Sequence, residues 1–215
     1  MKKVIALLTV MILIFALAGC GANDTGTQSE AETKPDASSA SESSKTAEET
    51  TAEENNNTGS GKTLVVFFSA TGTTKAVAEQ IASVTGADIY EITAAQPYSA
   101  DDLNWNDPNS RTTIEQNDKT VRPEIGSDEI SLDGCDTIFI GYPIWWGEEP
   151  RIMDTFVESY DFTGKTVIPF CTSGGSGIGA SGSNLASNAG SGNWLEGERL
   201  SSSSDIEGWI NGLGL

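Results

Sequence analysis

Residues 61–215 predict an α/β domain: a three-layer, doubly wound, five-stranded parallel sheet in the order 2-1-3-4-5. Three observations lead there. Short apolar runs recur along this stretch without polar alternation, as strands buried on both faces require. Segments with helical spacing separate them, and alternating strands and helices make a parallel sheet with helices on both faces. The right-handed crossover rule then leaves few topologies, and in this one ligands bind outside the C-terminal ends of the strands.

The elements follow in order. Thr63 to Phe68 is the first strand. A polar turn leads into a helix from about Thr73, whose buried stripe is Val77, Ile81 and Val84, flanked by Ala78 and Ala82. Asp88 to Ile92 is the second strand and Asp136 to Gly141 the third. Ile152 to Tyr160 reads as a helix with Ile152, Phe156 and Val157 inward. Lys165 to Phe170 is the fourth strand, Gly177 to Ala189 a weak helix, and Trp194 to Leu200 holds the fifth strand. Asp205 to Leu213 closes the domain as a helix capped by Ser204, with Ile206, Trp209, Ile210 and Leu213 inward. The stretch from 93 to 130 is too long for a simple connection. It is expected to hold one or two helices, one around Arg111 to Asn117, with Arg111 and Glu115 forming a surface pair at i, i+4.

Composition excludes several function classes. The chain of 215 residues carries a formal charge of −19, against the basic footprint that nucleic acids or anionic lipids need. It has no histidine, which removes Ser-His-Asp and Cys-His catalysis and histidine-ligated metals. Its cysteines, at 20, 135 and 171, cannot by themselves make a tetrahedral thiolate site. Cys135 precedes the third strand and Cys171 follows the fourth, at opposite ends of neighbouring parallel strands. A strand's length of roughly 20 Å separates them, so two free thiols are expected. Both read as small, partly buried residues; a redox-active Cys171 at the ligand end is the alternative.

The stretch before the domain has its own organisation. Lys2 and Lys3 precede an apolar run from Val4 to Ala18, short for a membrane span but suited to a signal peptide. The run ends Leu17-Ala18-Gly19-Cys20, which resembles the bacterial lipobox. That resemblance implies cleavage before Cys20 and a diacylglycerol on its sulfur, an anchor on the outer face of the cell membrane. An ordinary signal peptide or an uncleaved anchor is the alternative. Residues 21–60, rich in Ser, Thr, Glu and Asn with two lysines against nine carboxylates, are expected to be a disordered acidic linker.

Three loops fall at the C-terminal ends of strands. Ser69-Ala70-Thr71-Gly72-Thr73-Thr74 offers hydroxyls and backbone N–H groups at a helix N-terminus, an anion site without a fixed cation. It lacks the Gly-x-x-x-x-Gly-Lys-Ser/Thr of a Walker loop, and Lys75 reads as solvent-facing. Gly141-Tyr142-Pro143-Ile144-Trp145-Trp146-Gly147 places two adjacent tryptophans at a strand's end. Consecutive side chains diverge, so one can pack while the other flanks a ligand, and the sequence leaves open which. Thr172-Ser173-Gly174-Gly175-Ser176-Gly177 lets main-chain N–H groups approach a ring. Singly, these loops also read as a capped helix, a packed tryptophan pair and a flexible connector.

Together, from Leu64 to Gly177, they resemble the flavodoxin-like family: a strand followed by Ser-x-Thr-Gly-Thr-Thr, a Gly-Tyr-Pro-Ile-Trp-Trp-Gly loop and a Thr-Ser-Gly-Gly-Ser-Gly loop. The resemblance implies non-covalent FMN. It implies phosphate contacts at Ser69, Thr71, Gly72, Thr73 and Thr74, and ring contacts at Pro143, Ile144, Trp145, Trp146, Gly147, Thr172, Ser173, Gly174 and Gly175. The segment with Trp105, Arg111, Glu115 and Arg122 departs from ordinary flavodoxins and leaves the partner open. Electron transfer to a redox partner protein is the first expectation. An FMN-dependent oxidoreductase with a small acceptor such as a quinone is the second, and flavin binding without turnover the third.

Overall fold

The computed structural model describes residues 61–215; the expected signal peptide, Cys20 and the expected acidic linker lie outside the described residues. The described elements are β1 (Lys62–Phe68), α1 (Thr73–Thr85), β2 (Asp88–Ile92), α2 (Arg111–Asn117), β3 (Cys135–Pro143), α3 (Arg151–Ser159), β4 (Thr166–Thr172), α4 (Ser181–Ala189), β5 (Asn193–Trp194), β6 (Glu198–Arg199) and α5 (Ile206–Gly212). The sheet order is β2-β1-β3-β4-β5, all parallel, with β6 also paired to β4. The doubly wound order expected from the sequence is therefore present.

The apolar run of β1 is continuous because both sheet faces are covered. Leu64, Val66 and Phe68 join a core with Ile152, Phe156 and Val157 of α3 and Leu185 of α4. Val65 and Phe67 join the opposite core with Val77, Ala78 and Ile81 of α1 and Ile206 of α5. Alternation of side chains along the strand sends successive residues to the two cores.

The edge beyond β4 differs from the expected single strand over 194–200. Leu195 N donates to Val167 O and Leu200 N to Cys171 O, so five edge residues span four of β4. Midway stands Pro169, which turns a nitrogen without hydrogen toward this edge. The ladder breaks there into β5 and β6, with Gly197 packed so closely on Pro169 that a Cβ would lie 2.6 Å from its carbonyl oxygen.

Other boundaries shift for local reasons. Val84 is 46 % exposed rather than buried, because α1 ends at the Gly86 cap and leaves that side chain at the margin of the sheet. α4 starts at Ser181, not Gly177, since Gly179 holds a left-handed conformation at φ +57°. Asp205, not Ser204, caps α5 by accepting from Gly208 N at 2.9 Å; the Ser204 hydroxyl instead accepts from Ser201 N. Cys171 lies inside β4, fully buried, and pairs with Tyr142, seven residues along β3 from Cys135. Both thiols are free. Cys171 is fully buried, and that burial pushes its thiol up to about 12, which weighs against the redox-active alternative.

Candidate functional site

The first loop leaves β1 and turns into α1 at Gly72, with φ +86° at the N-cap position. That residue has no side chain to cap the helix, and no side-chain cap bond is made. Backbone N–H groups at the start of α1 thus remain open to an outside acceptor, at the positive end of a 13-residue helix. Ser69 Oγ accepts from Gly72 N at 3.1 Å and fixes the turn. Thr71, Gly72 and Thr73 are exposed, whereas Thr74 points inward and bonds Thr172 Oγ1 at 2.8 Å. Lys75 is turned aside to Glu91, at 2.8 Å.

The second loop begins where β3 ends. Ile144 N donates to Thr172 O, tying it to the end of β4. Trp145 and Glu148 then exchange two backbone hydrogen bonds, of 2.9 and 3.0 Å, around a tight turn. Its central residues, Trp146 and Gly147, have φ +51° and +84°, and Trp146 is the only non-glycine residue with positive φ among the described residues. This turn makes the tryptophans diverge. Trp145 is half-buried, with its ring edge-to-face on Phe68 at 5.6 Å and Tyr98 at 5.3 Å. Trp146 stands 45 % exposed.

In the third loop Ser173 Oγ donates to Ser176 O and accepts from Gly175 N, leaving Gly174 and Gly175 exposed. The three loops enclose a cavity of about 320 Å³, lined by Thr71, Thr73, Thr74, Pro143, Ile144, Trp145, Thr172, Ser173 and Gly174. A neighbouring cavity of about 360 Å³ shares Thr71, Ile144 and Trp145 and adds Trp146, Leu103, Trp105 and Thr112. Of the expected site residues, Ser69 lines a separate hollow beside Glu91. Gly72, Gly147 and Gly175 line none of these three cavities.

Sequence reasoning missed two features. Leu103, Trp105 and Thr112 come to the site from the long segment after β2; the exposed Trp105 (73 %) was the available signal. The second is a buried polar cluster behind the tryptophan turn. Arg151, only 2 % exposed, bonds Glu148 at 2.6 Å, Asp154 at 3.3 Å and Glu149 at 3.5 Å. Asn184 and Asn188 of α4 donate to Glu149 and Asp154. Burial, reinforced by Asp154, pushes the Glu149 carboxyl up to about 7. Charges at the start of a helix look like a solvated face in sequence, and only tertiary packing shows otherwise.

The Arg111–Glu115 pair is likewise no surface pair. Its 2.7 Å bond has Glu115 buried, and the Tyr98 hydroxyl donates to the same carboxylate. The cause is the fold of the long segment, which lays Tyr98 against α2.

A family model described as flavodoxin matches residues 62–213. The chain belongs to the flavodoxin family. Solved structures agree. A Bacteroides eggerthii protein described as a flavoprotein is 45 % identical, with a TM-score of 0.68, over 72 % of this chain and 99 % of that one. One from Bacteroides uniformis, described likewise, is 46 % identical with a TM-score of 0.68, over 71 % and 99 %. A flavoprotein from Lactobacillus acidophilus, solved in complex with FMN, is 27 % identical with a TM-score of 0.54, over 70 % and 99 %. No curated protein sequence matches. In this flavodoxin the long segment between β2 and β3 supplies one wall of the site.

Proposed function

We propose that this flavodoxin binds FMN non-covalently in the three-loop site and transfers electrons at the outer face of the cytoplasmic membrane, held there by lipid on Cys20. The observation that carries the FMN reading is the uncapped N-terminus of α1 opening into a hydroxyl-lined cavity that adjoins an apolar, tryptophan-walled one. The residues fit the group. A phosphate needs open N–H groups and hydroxyls, which Thr71, Gly72 and Thr73 offer. A flat ring needs apolar walls, which Ile144, Trp145, Trp146 and Trp105 offer, and backbone donors, which the exposed Gly174–Gly175 segment offers. The FMN complex of the Lactobacillus acidophilus relative supports the same assignment.

When bound, FMN supplies the redox chemistry. The chain's residues hold and shield it. Residues 61–215 carry 8 basic against 22 acidic side chains. This field disfavours further negative charge near the ring and steers basic partner proteins toward it. A second reading, an FMN-dependent oxidoreductase, is favoured by the cavity beneath Trp105 and Trp146, whose 360 Å³ can admit a planar acceptor such as a quinone.

The test is an anaerobic reductive titration of the FMN-loaded protein, followed in the visible. Two separable one-electron steps support the carrier. A single two-electron step, with turnover on a quinone, supports the oxidoreductase. Bound FMN that neither exchanges electrons with proteins nor turns over leaves flavin binding alone, and no FMN binding overturns the site. For the anchor, Cys20→Ala is expected to release the protein from the membrane fraction, and mass spectrometry to find diacylglycerol on Cys20. Membrane retention of the variant would favour an uncleaved anchor.

A further inference from the structure

Two consecutive residues of α2 grip Trp145 from two directions. Gln116 Nε2 donates to Trp145 O at 2.9 Å and to Glu149 O at 3.1 Å, so one amide group spans the tryptophan turn. Glu115 accepts from the Tyr98 hydroxyl at 2.7 Å, and the Tyr98 ring packs T-shaped with the Trp145 ring. Arg111 reinforces this arm, lying 4.0 Å over the Tyr98 ring while bonding Glu115 at 2.7 Å and Gln96 O at 2.6 Å. Burial and the Glu115 carboxylate push the Tyr98 phenol up, so it stays protonated and remains the donor. The Gln116 arm is anchored in turn: Arg151 Nη2 donates to Gln116 O at 3.3 Å, and Arg151 itself is held by Glu148 and Asp154.

We infer that Glu115 and Gln116, which line neither cavity of the site, are positioning residues for Trp145, and that they set the ring wall of the FMN site from behind it. This rests on the FMN reading above. Three observations distinguish the arrangement from ordinary packing. The turn holds its second residue, Trp146, at a positive φ that a bulky residue rarely adopts, so the backbone needs external restraint. A seven-residue helix from the long β2–β3 segment reaches the loop at the end of β3 directly through Gln116 and indirectly through Glu115 and Tyr98. Both residues are buried, Glu115 at 6 % and Gln116 at 8 % exposure, in a segment otherwise largely at the surface. The side-chain hydrogen bonds of the first loop, by contrast, stay within it or run to Thr172. The restraint on Trp145 is therefore separable from the phosphate loop, which bonds neither Glu115 nor Gln116.

The experiment compares wild type with Gln116→Met, which keeps side-chain length and removes both hydrogen bonds. Each apoprotein is titrated with FMN and, separately, with inorganic phosphate, and the visible spectrum of bound FMN is recorded. FMN affinity is expected to fall at least tenfold and the spectrum to shift, with phosphate affinity unchanged. Tyr98→Phe, which removes only the bond to Glu115, is the second variant should Gln116→Met not fold. It is expected to lower FMN affinity about threefold with the same spectral direction. Unchanged FMN affinity and spectrum in the folded variants would overturn the inference. So would an equal loss of FMN and phosphate binding, which is the mark of general destabilisation. Failure of wild type to bind FMN overturns the functional reading itself, a separate outcome.

Discussion

Thr74 Oγ1 and Thr172 Oγ1 lie 2.8 Å apart, both buried, joining the first turn of α1 to the last residue of β4. Two site loops are thus linked by one hydroxyl pair whose members stand 98 positions apart in the chain. Replacing either threonine by valine leaves the other hydroxyl buried and unpaired, at a cost of about 1–3 kcal/mol. Replacing both removes the unpaired group. Urea denaturation of Thr74→Val, Thr172→Val and the double variant is expected to show a double-variant loss well below the sum of the single ones. Simple additivity would mean that the two hydroxyls do not support each other.

Gly72 separates a backbone role from a steric one. At φ +86° it has nothing within 4 Å of a would-be Cβ, so Gly72→Ala meets backbone strain and no clash. The expected stability loss is about 1 kcal/mol. Gly147, at φ +84° and equally open, should show a similar loss. Their effects on inorganic phosphate should part: Gly72→Ala weakens its binding and Gly147→Ala does not. Isothermal titration of the apoproteins checks this, and equal effects would place the anion elsewhere.

The strands were legible because β1, β3 and β4 are buried on both faces, which writes an unbroken apolar run into the chain. The edge was less so. Nothing in Trp194–Leu200 itself says that its ladder must break; the reason lies in Pro169, on the neighbouring strand. The loops of the site could be read because their glycines, hydroxyls and tryptophans are local signals tied to strand ends. Trp105 could be seen but not placed, since its approach depends on the path of the whole segment between β2 and β3. The Arg151 cluster was illegible for the opposite reason. Its residues have ordinary surface chemistry, and their burial comes from α2 and α4 closing over them.

The two domain cysteines make an accessibility prediction. Cys171 is fully buried with its thiol pushed up to about 12, and Cys135 is 8 % exposed. Burial keeps a thiol reagent from both, and at Cys171 the raised thiol also suppresses the reactive thiolate, so neither should react in the native protein. Peptide-level mass spectrometry after alkylation is expected to find both unmodified until denaturant is added, and joined in no disulfide. Rapid native labelling of Cys171 would contradict its place inside β4.

Glu149 gives the fold a pH dependence with a definite sign. Its folded-state carboxyl titrates at about 7, against an ordinary value of 4.5 for the unfolded chain, because burial and Asp154 penalise its charge more than Arg151 and Asn184 relieve it. The folded state therefore holds a proton that the unfolded state has already lost, and stability falls as pH rises from about 4.5 through 7. A tenfold difference in proton affinity is worth about 1.4 kcal/mol, so the loss is on the order of 3 kcal/mol, complete above neutrality. The Asp154 carboxyl is raised in the same direction, again by burial, which adds to the slope. Glu149→Gln removes one ionisation while Glu148 and Asp154 still neutralise Arg151. The variant is expected to be more stable than the parent at pH 8, to match it near pH 5, and to show a flatter profile between. Urea unfolding across that range measures it, and an unchanged slope in Glu149→Gln would assign the proton to another group of the cluster.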